Sequence, residues 1–304
     1  MCLVAFAINT SARWPLVIAS NRDESFERPS LPLARWQNAA GHTIISGRDV
    51  RAGGTWLGMT PGGRIALLTN VRELPASSQA PAPKSRGELV MRWLESDMDA
   101  DQFMAQTDST AYAGFNLVVG DWSTNSWTWL GNRSFDRKLA GSAAHRPQGS
   151  GWCSRALAPG VYGLSNAALD TPWPKTLALK KALAGAMADA AHAPDPDAME
   201  ATLWTALASR RRAGPGELPD TGLPMALEEA LSSAFVDSPE RAYGTRCSTL
   251  LVASATENLQ DAGRWTVRMQ EKTHHQPVKG QSAHGPSDSM VSQVLHWQRA
   301  GVVL

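Results

Sequence analysis

Cysteine is scarce in this sequence: Cys2, Cys153 and Cys247 are the only three among 304 residues. So few, so widely spaced, they supply no disulfide framework. No Cys-x-x-Cys pair occurs, which removes the usual nucleus of a structural zinc site, and no metal or other cofactor is expected. An excess of one charge is also missing, with 29 Lys and Arg against 28 Asp and Glu and a formal net charge of +1. A surface built for nucleic acid or for an anionic membrane carries a basic excess, so neither partner is expected. The run Arg210-Arg211-Arg212 is a local exception that reads as the solvated end of a helix. Nowhere do 18 apolar residues follow one another, so no membrane span is expected. The apolar run that opens the chain ends at Asn9 and has no basic leader, unlike a signal peptide. These absences lead to the expectation of a cytoplasmic protein. What the chain does have is apolar mass, at 43% hydrophobic and 19% charged residues. That suffices for one large core or two smaller ones and argues against disorder of the whole.

The first 71 residues read as strands and turns. Leu3 to Ile8 is continuously apolar, as in a strand buried on both faces. Pro15 to Ala19, His42 to Ser46, Thr55 to Met59 and Arg64 to Val71 are further candidates, punctuated by Gly53-Gly54 and Pro61-Gly62-Gly63. Short turns between them favour an antiparallel sheet. The stretch 75–84 reads as a proline-rich loop. Ser85-Arg86-Gly87-Glu88 then predicts a capping box for a helix that carries Leu89, Val90, Trp93 and Leu94 on one face. A second short helix is expected near Asp99. Strands are predicted at Phe115 to Val119, Ser126 to Leu130 and Val161 to Ser165. Pro174 suits the first turn of a helix reaching His192, followed by helices from Ala198 to Arg210 and from Pro224 to about Phe235. Cys247 to Ala253 and Trp265 to Met269 return to strands. The order β-rich, α, β, α, β excludes a doubly wound sheet and a helical bundle. Polar residues rich in His, Gly, Ser and Pro follow, so 273–304 is expected to be a flexible C-terminal tail, with a turn of helix at Val291 to Trp297.

Cys2 directly follows the initiator Met. Its side chain is small enough for an aminopeptidase to remove Met1, which would give Cys2 a free α-amine with a pKa of about 7.7–8. Thiol nucleophile and amine base would then sit on one residue. The plainer reading is a small buried residue opening a strand. Ser20-Asn21-Arg22-Asp23-Glu24 ends the second strand, where a hairpin brings it back beside residue 2. Asp23 is placed to accept from the Cys2 amine, and Arg22 to stabilise a thiolate or a substrate carboxylate. A solvated turn would use the same residue types.

Met1-Cys2, Asn21-Arg22-Asp23-Glu24 and Gly53-Gly54-Thr55-Trp56-Leu57-Gly58, in that order, resemble the NRDE family, also called the transport and Golgi organisation protein 2 family. The resemblance covers about residues 1–272, expected as one domain. It implies an α+β fold of the N-terminal-nucleophile hydrolases, a four-layer αββα sandwich of two antiparallel sheets between helices. Animal members are linked to Golgi organisation and haem handling. A more distant similarity, to choloylglycine hydrolases and penicillin V acylases, implies roles for single residues. Cys2 matches the nucleophile and Asp23 the aspartate after the second strand. Asn70 and Asn166 match the two oxyanion asparagines, and Arg246 matches a late arginine. This chain has Ser20 where those relatives carry an arginine, and its own arginine is Arg22. Asn21, Arg22 and Trp56 are left as candidates for substrate binding.

The resemblance therefore implies a cysteine amidohydrolase cleaving a non-peptide amide, with a small-molecule substrate such as an N-acyl amide. Its alternative is a binding or trafficking protein of the same fold, for haem or an acyl lipid. All five implied catalytic residues are expected to converge. Other signals are weaker. Gly163-Leu164-Ser165-Asn166-Ala167 lacks the last glycine of a nucleophile elbow. His274-His275 suggests metal only by adjacency. Cys153 and Cys247 read as small buried hydrophobes.

Overall fold

The apolar opening run forms β1 (Cys2–Ile8), buried along its whole length, and a hairpin returns it as β2 (Leu16–Ser25). The computed structural model describes residues 2–73, 83–133, 151–192, 196–255, 264–274 and 289–298. The chain divides into two compact units. The first contains Cys2–Pro29, Pro159–Leu164 and the described residues from Pro172 onward; the second contains Ser30–Ala158 and Ser165–Thr171.

In the first unit, β10 (Gly160–Leu164), β1, β2, β12 (Tyr243–Ala255), β13 (Arg264–Thr273) and β14 (Ser289–Gln298) lie side by side, and β11 (Asp237–Ser238) pairs with β12. Every pairing is antiparallel, and β1 is flanked on both sides, by β10 and β2. The Leu3–Ile8 strand is thus internal to an antiparallel sheet, as its continuous apolarity predicts. Register places Leu3 opposite Asn21, Ala5 opposite Ala19 and Ala7 opposite Val17. These residues share one face, which packs against α3 (Pro174–His192) and α4 (Pro196–Leu207) through Leu179, Leu183, Met187, Leu203 and Leu207. The alanines leave little side chain between helix and strand. A third helix, α5 (Met225–Ala230), is shorter than the Pro224–Phe235 expectation.

The second unit holds a seven-stranded sheet in sequential order. Its strands are β3 (Ser30–Gln37), β4 (Thr43–Asp49), β5 (Leu57–Met59), β6 (Arg64–Asn70), β7 (Phe115–Asp121), β8 (Ser126–Gly131) and β9 (Cys153–Ala156). Its core joins Leu89, Val90, Trp93 and Leu94 of α1 (Gly87–Leu94) to Phe103 of α2 (Ala100–Ala105), Phe115, Leu117 and Trp152. The fold class is α+β, two antiparallel sheets with helices. Asp99 caps α2 in a reciprocal box with Gln102, as expected near that position. The box expected at α1 does not form. Arg86 is its N-cap without a side-chain bond, and the Glu88 carboxylate instead accepts from Lys84 at 3.0 Å and from the Tyr112 hydroxyl at 3.1 Å.

Gly53-Gly54 makes the turn that the sequence predicts, with Gly53 at φ +74°. Gly54 has a second reason to lack a side chain, since a Cβ there would stand 2.5 Å from the Gly87 carbonyl carbon. The obstacle is backbone, at the first turn of α1, and cannot rotate away. Gly54→Ala is therefore expected to cost about 1–3 kcal/mol of stability as an overpacking change, read as a lower Tm by differential scanning fluorimetry. A Tm within a degree of the parent would show that the loop yields instead.

Four strands escape the sequence reading, among them the two-residue β11. β3 is an edge strand containing Pro32, with a register irregularity between Leu31 and Ala34, and proline hides exactly such strands from pattern reading. β9 has four residues. β14 replaces the turn of helix expected at Val291 to Trp297, pairing along β13 from Thr273 opposite Ser289 to Arg264 opposite Gln298. The Trp265 and Trp297 rings meet there at 5.2 Å. The expected flexible tail thus includes a paired strand; 275–288 and 299–304 lie outside the described residues, as does most of the 75–84 loop.

Candidate functional site

The four residues Asn21-Arg22-Asp23-Glu24 occupy the end of β2, between the starts of β1 and β12. Strand alternation divides them between the two faces of the sheet. Cys2 is the register partner of Arg22, and Arg22 is in turn the partner of Cys247, so the three side chains form a row on one face. Asn21 and Asp23 project to the other face, the one that α3 and α4 cover.

Each member has a defined partner. Asn21 is fully buried; its Nδ2 donates to the carbonyls of Leu207 at 2.9 Å and Ala234 at 2.8 Å, and its Oδ1 accepts from the Ser248 hydroxyl at 2.6 Å. Because the single hydroxyl proton of Ser248 goes to Asn21, the 2.9 Å contact between Ser248 Oγ and His274 Nε2 requires the imidazole to donate. The His274 ring also stands edge-on to Phe235 at 4.9 Å. Buried Arg22 lies 3.9 Å from Glu24, which Arg28 also approaches at 3.9 Å. Asp23 Oδ1 accepts from the Thr245 hydroxyl at 2.7 Å, and Tyr243 donates its hydroxyl to the Asp23 carbonyl at 3.0 Å.

Burial dominates the electrostatics. It raises the Cys2 thiol pKa, and the nearby Asp23 charge raises it further while Arg22 pulls it down. Burial likewise raises the Asp23 carboxyl, against the opposing pull of Lys175, the Thr245 hydrogen bond and Arg22. Tyr243 is pushed well up, by burial and then by Asp23. A protonated thiol at neutral pH needs a base before it can act as a nucleophile.

Arg246 is the extra residue of a β-bulge, where register shifts between Thr245 and Cys247. Its Nη1 donates to the carbonyls of Ser25 at 2.8 Å, Phe26 at 3.1 Å and Arg28 at 2.9 Å. The arginine therefore holds the turn that follows β2. In the same unit, then, the structure brings together Cys2, Asn21, Arg22, Asp23 and Arg246.

Asn70 and Asn166 meet within the second unit. Asn166 is buried and donates its amide to the Asn70 carbonyl at 2.8 Å, while its own carbonyl accepts from Arg72 N at 2.8 Å. Among the described residues the Asn70 side chain makes no hydrogen bond. Asn116, which the sequence reading passes over, ties this corner together by donating to Thr69 Oγ1 at 3.2 Å and the Ala167 carbonyl at 2.8 Å. Trp56 is buried, and a Cβ on Gly47 would stand 2.6 Å from its ring. Trp56 thus packs over the backbone of β4.

Sequence spacing gives no sign of Lys175 or Ser248 and marks His274 only by its adjacency to His275, since each reaches the cluster through tertiary structure alone. Thr245 and Tyr243 were findable only as neighbours of Arg246. Among the described residues no group of three His, Cys, Asp or Glu side chains is placed to hold a metal ion, and no helix is long and apolar enough to cross a membrane.

A buried cysteine heading an internal strand, beside a polar cluster at one end of that strand's sheet, defines an α+β protein with a single-residue thiol at a structured strand start. The chain belongs to the Transport and Golgi organisation 2 family, whose model matches residues 1–266. It is 30% identical to the Transport and Golgi organization 2 homolog of Mus musculus, over 90% of this chain and 99% of that one. The Homo sapiens homolog is also 30% identical, with the same coverage of 90% and 99%. Among solved structures, the Caenorhabditis elegans ortholog of N-acylethanolamine-hydrolyzing acid amidase is similar at a TM-score of 0.44 and 10% identity, over 83% of this chain and 92% of that one.

Proposed function

We propose that this protein is a cysteine N-terminal-nucleophile amidohydrolase that cleaves a non-peptide amide. The observation that carries the reading is the position of Cys2: buried at the head of β1, opposite Arg22 and within electrostatic reach of the buried Asp23. Removal of Met1 would make Cys2 the first residue. Its sulfur attacks the amide carbonyl while the thiol proton passes to the α-amine, so the raised thiol pKa is met by a base on the same residue. The C–N bond then breaks, the ammonium proton leaves with the departing amine, and a thioester remains on Cys2. Water, deprotonated by the same amine, hydrolyses the thioester and returns the thiol. Asp23 holds the ammonium in this reading, and each amide donor to the oxyanion, the role that the resemblance implies for Asn70 and Asn166, is worth about 2.7–4 kcal/mol of barrier. A free thiol nucleophile suits the reducing cytoplasm.

A second reading has its own observation. Asn21, Arg246 and Asn166 all spend donors on backbone carbonyls, which is how a binding or trafficking protein of this fold would use them. Intact-mass analysis separates the two. A mass lacking Met1 is expected for the hydrolase; retention of Met1 would block the amine and leave the binding reading.

A further inference from the structure

The mechanism assigns no role to Lys175, although few cations among the described residues are so deeply buried. It is 5% exposed, lies in the first turn of α3, and donates its ammonium to the Leu231 carbonyl at 2.8 Å. It also lines a cleft of about 550 Å³ together with Pro172, Pro174, Arg211, Ser232 and Ala234. The segment 231–236 runs from this cleft to the polar cluster and is held at three points. Lys175 binds the carbonyl of Leu231, Asn21 binds that of Ala234, and the Thr245 hydroxyl accepts from Val236 N while donating to Asp23. Asn21 and Asp23 face the same helix-covered side of the sheet as α3. Lys175 is therefore bound to one end of this short segment, and Asp23 is linked to the other end through Thr245.

We propose that Lys175 is a positioning residue that keeps Asp23 charged from the helix side of the sheet, while Cys2 presents its thiol on the opposite side. The proposal rests on the reading of Asp23 as the partner of the Cys2 amine. A carboxylate can hold an ammonium only while it is ionised, and a buried carboxyl without a counter-charge neutralises instead. Among the influences on Asp23, burial pushes its pKa up most and Lys175 is the strongest pull in the other direction. The remaining groups that act on Asp23 or respond to it are the α-amino group, Thr245, Arg22, Tyr243 and Cys2, with Glu24 beside them. On its cleft side Lys175 is accompanied by Arg211, Arg212 and Glu217.

A thermodynamic cycle on the full chain tests this without turnover. Tm is measured for the parent, Lys175→Met, Asp23→Asn and the double variant, at about pH 5.5 and near pH 8. A carboxyl whose folded pKa is raised stabilises the fold below its unfolded value and loses that contribution as pH rises through the folded value. Removing Lys175 raises the folded value further, so Lys175→Met should lose more Tm than the parent on going to the higher pH. Near pH 8, Asp23→Asn alone should lower Tm by roughly 5 °C, because it strands a buried ammonium, yet raise it in the Lys175→Met background. The double variant carries neither charge and guards against a single variant that fails to fold. Additive effects at both pH values would overturn the proposal. In parallel, Lys175→Met should slow acylation of Cys2 by a thiol-directed probe at neutral pH by about tenfold, the equivalent of one pKa unit, with Lys175→Arg restoring the rate. A coupled cycle with unchanged acylation would also overturn it. Acylation that survives Cys2→Ser instead refutes the nucleophile reading, a separate protein and a separate measurement.

Discussion

Cys2→Ser is expected to abolish acylation by a thiol-directed probe and to lower amide turnover by a factor on the order of 10³ or more, with Tm nearly unchanged. The two effects separate because serine keeps the volume and backbone of cysteine but not its nucleophilicity. Cys2 is buried at the head of β1, with Arg22 as its register partner. If this position served packing alone, the ordering would reverse. A hydroxyl buried without a partner costs about 1–3 kcal/mol, so stability would fall and labelling of the remaining thiols would be untouched. The measurement compares acylation, hydrolysis of a panel of N-acyl amides, and melting of the two proteins. Labelling at full stoichiometry in the serine variant would sink the mechanism. Reactivity should also rise with pH in the parent, since burial holds the thiol in its protonated form at neutrality and any reagent that needs thiolate must wait for it.

The elements that the sequence disclosed are those whose burial is uniform. β1 reads from Leu3 to Ile8 because both of its faces are covered, and α3 reads from Pro174 because proline and alanine act locally. β3 and β14 lie at sheet edges, where half the residues face solvent and Pro32 or a run of polar residues erases the period. The site divides the same way. Asn21-Arg22-Asp23-Glu24 is legible as a motif because hairpin geometry returns it to residue 2. Its partners are not, since Lys175, Thr245 and Ser248 stand more than 150 residues away along the chain and nothing local marks them. Roles were least legible of all. Asn21, which the sequence suggests as a substrate contact, instead spends its amide on the carbonyls of Leu207 and Ala234. Arg246, expected among catalytic groups, holds the turn after β2 by three carbonyls. A motif conveys that certain side chains are needed together; only the hydrogen-bond partners say for what.

Asn21→Ala should therefore be among the most destabilising single changes in this protein. The side chain is fully buried and makes three hydrogen bonds, two to carbonyls at the end of α4 and at Ala234, and one from Ser248. Truncation leaves two carbonyls and a hydroxyl without that partner in a closed core, at about 1–3 kcal/mol each before relaxation. A net loss of about 3–5 kcal/mol follows, near the upper end for one substitution, and on the order of 10 °C in Tm for a chain of this size. Asn21→Asp sharpens the test, because it keeps the shape and removes both donors. An ionised carboxylate would face two carbonyl oxygens, whereas the protonated acid can still donate to one of them. Its folded pKa is therefore raised, and the stability that protonation confers is lost as pH rises through that value. Asn21→Asp should melt lower near pH 8 than at about pH 5, relative to the parent at each pH. If Asn21 instead contacts substrate, both variants would melt with the parent and the change would appear in KM alone.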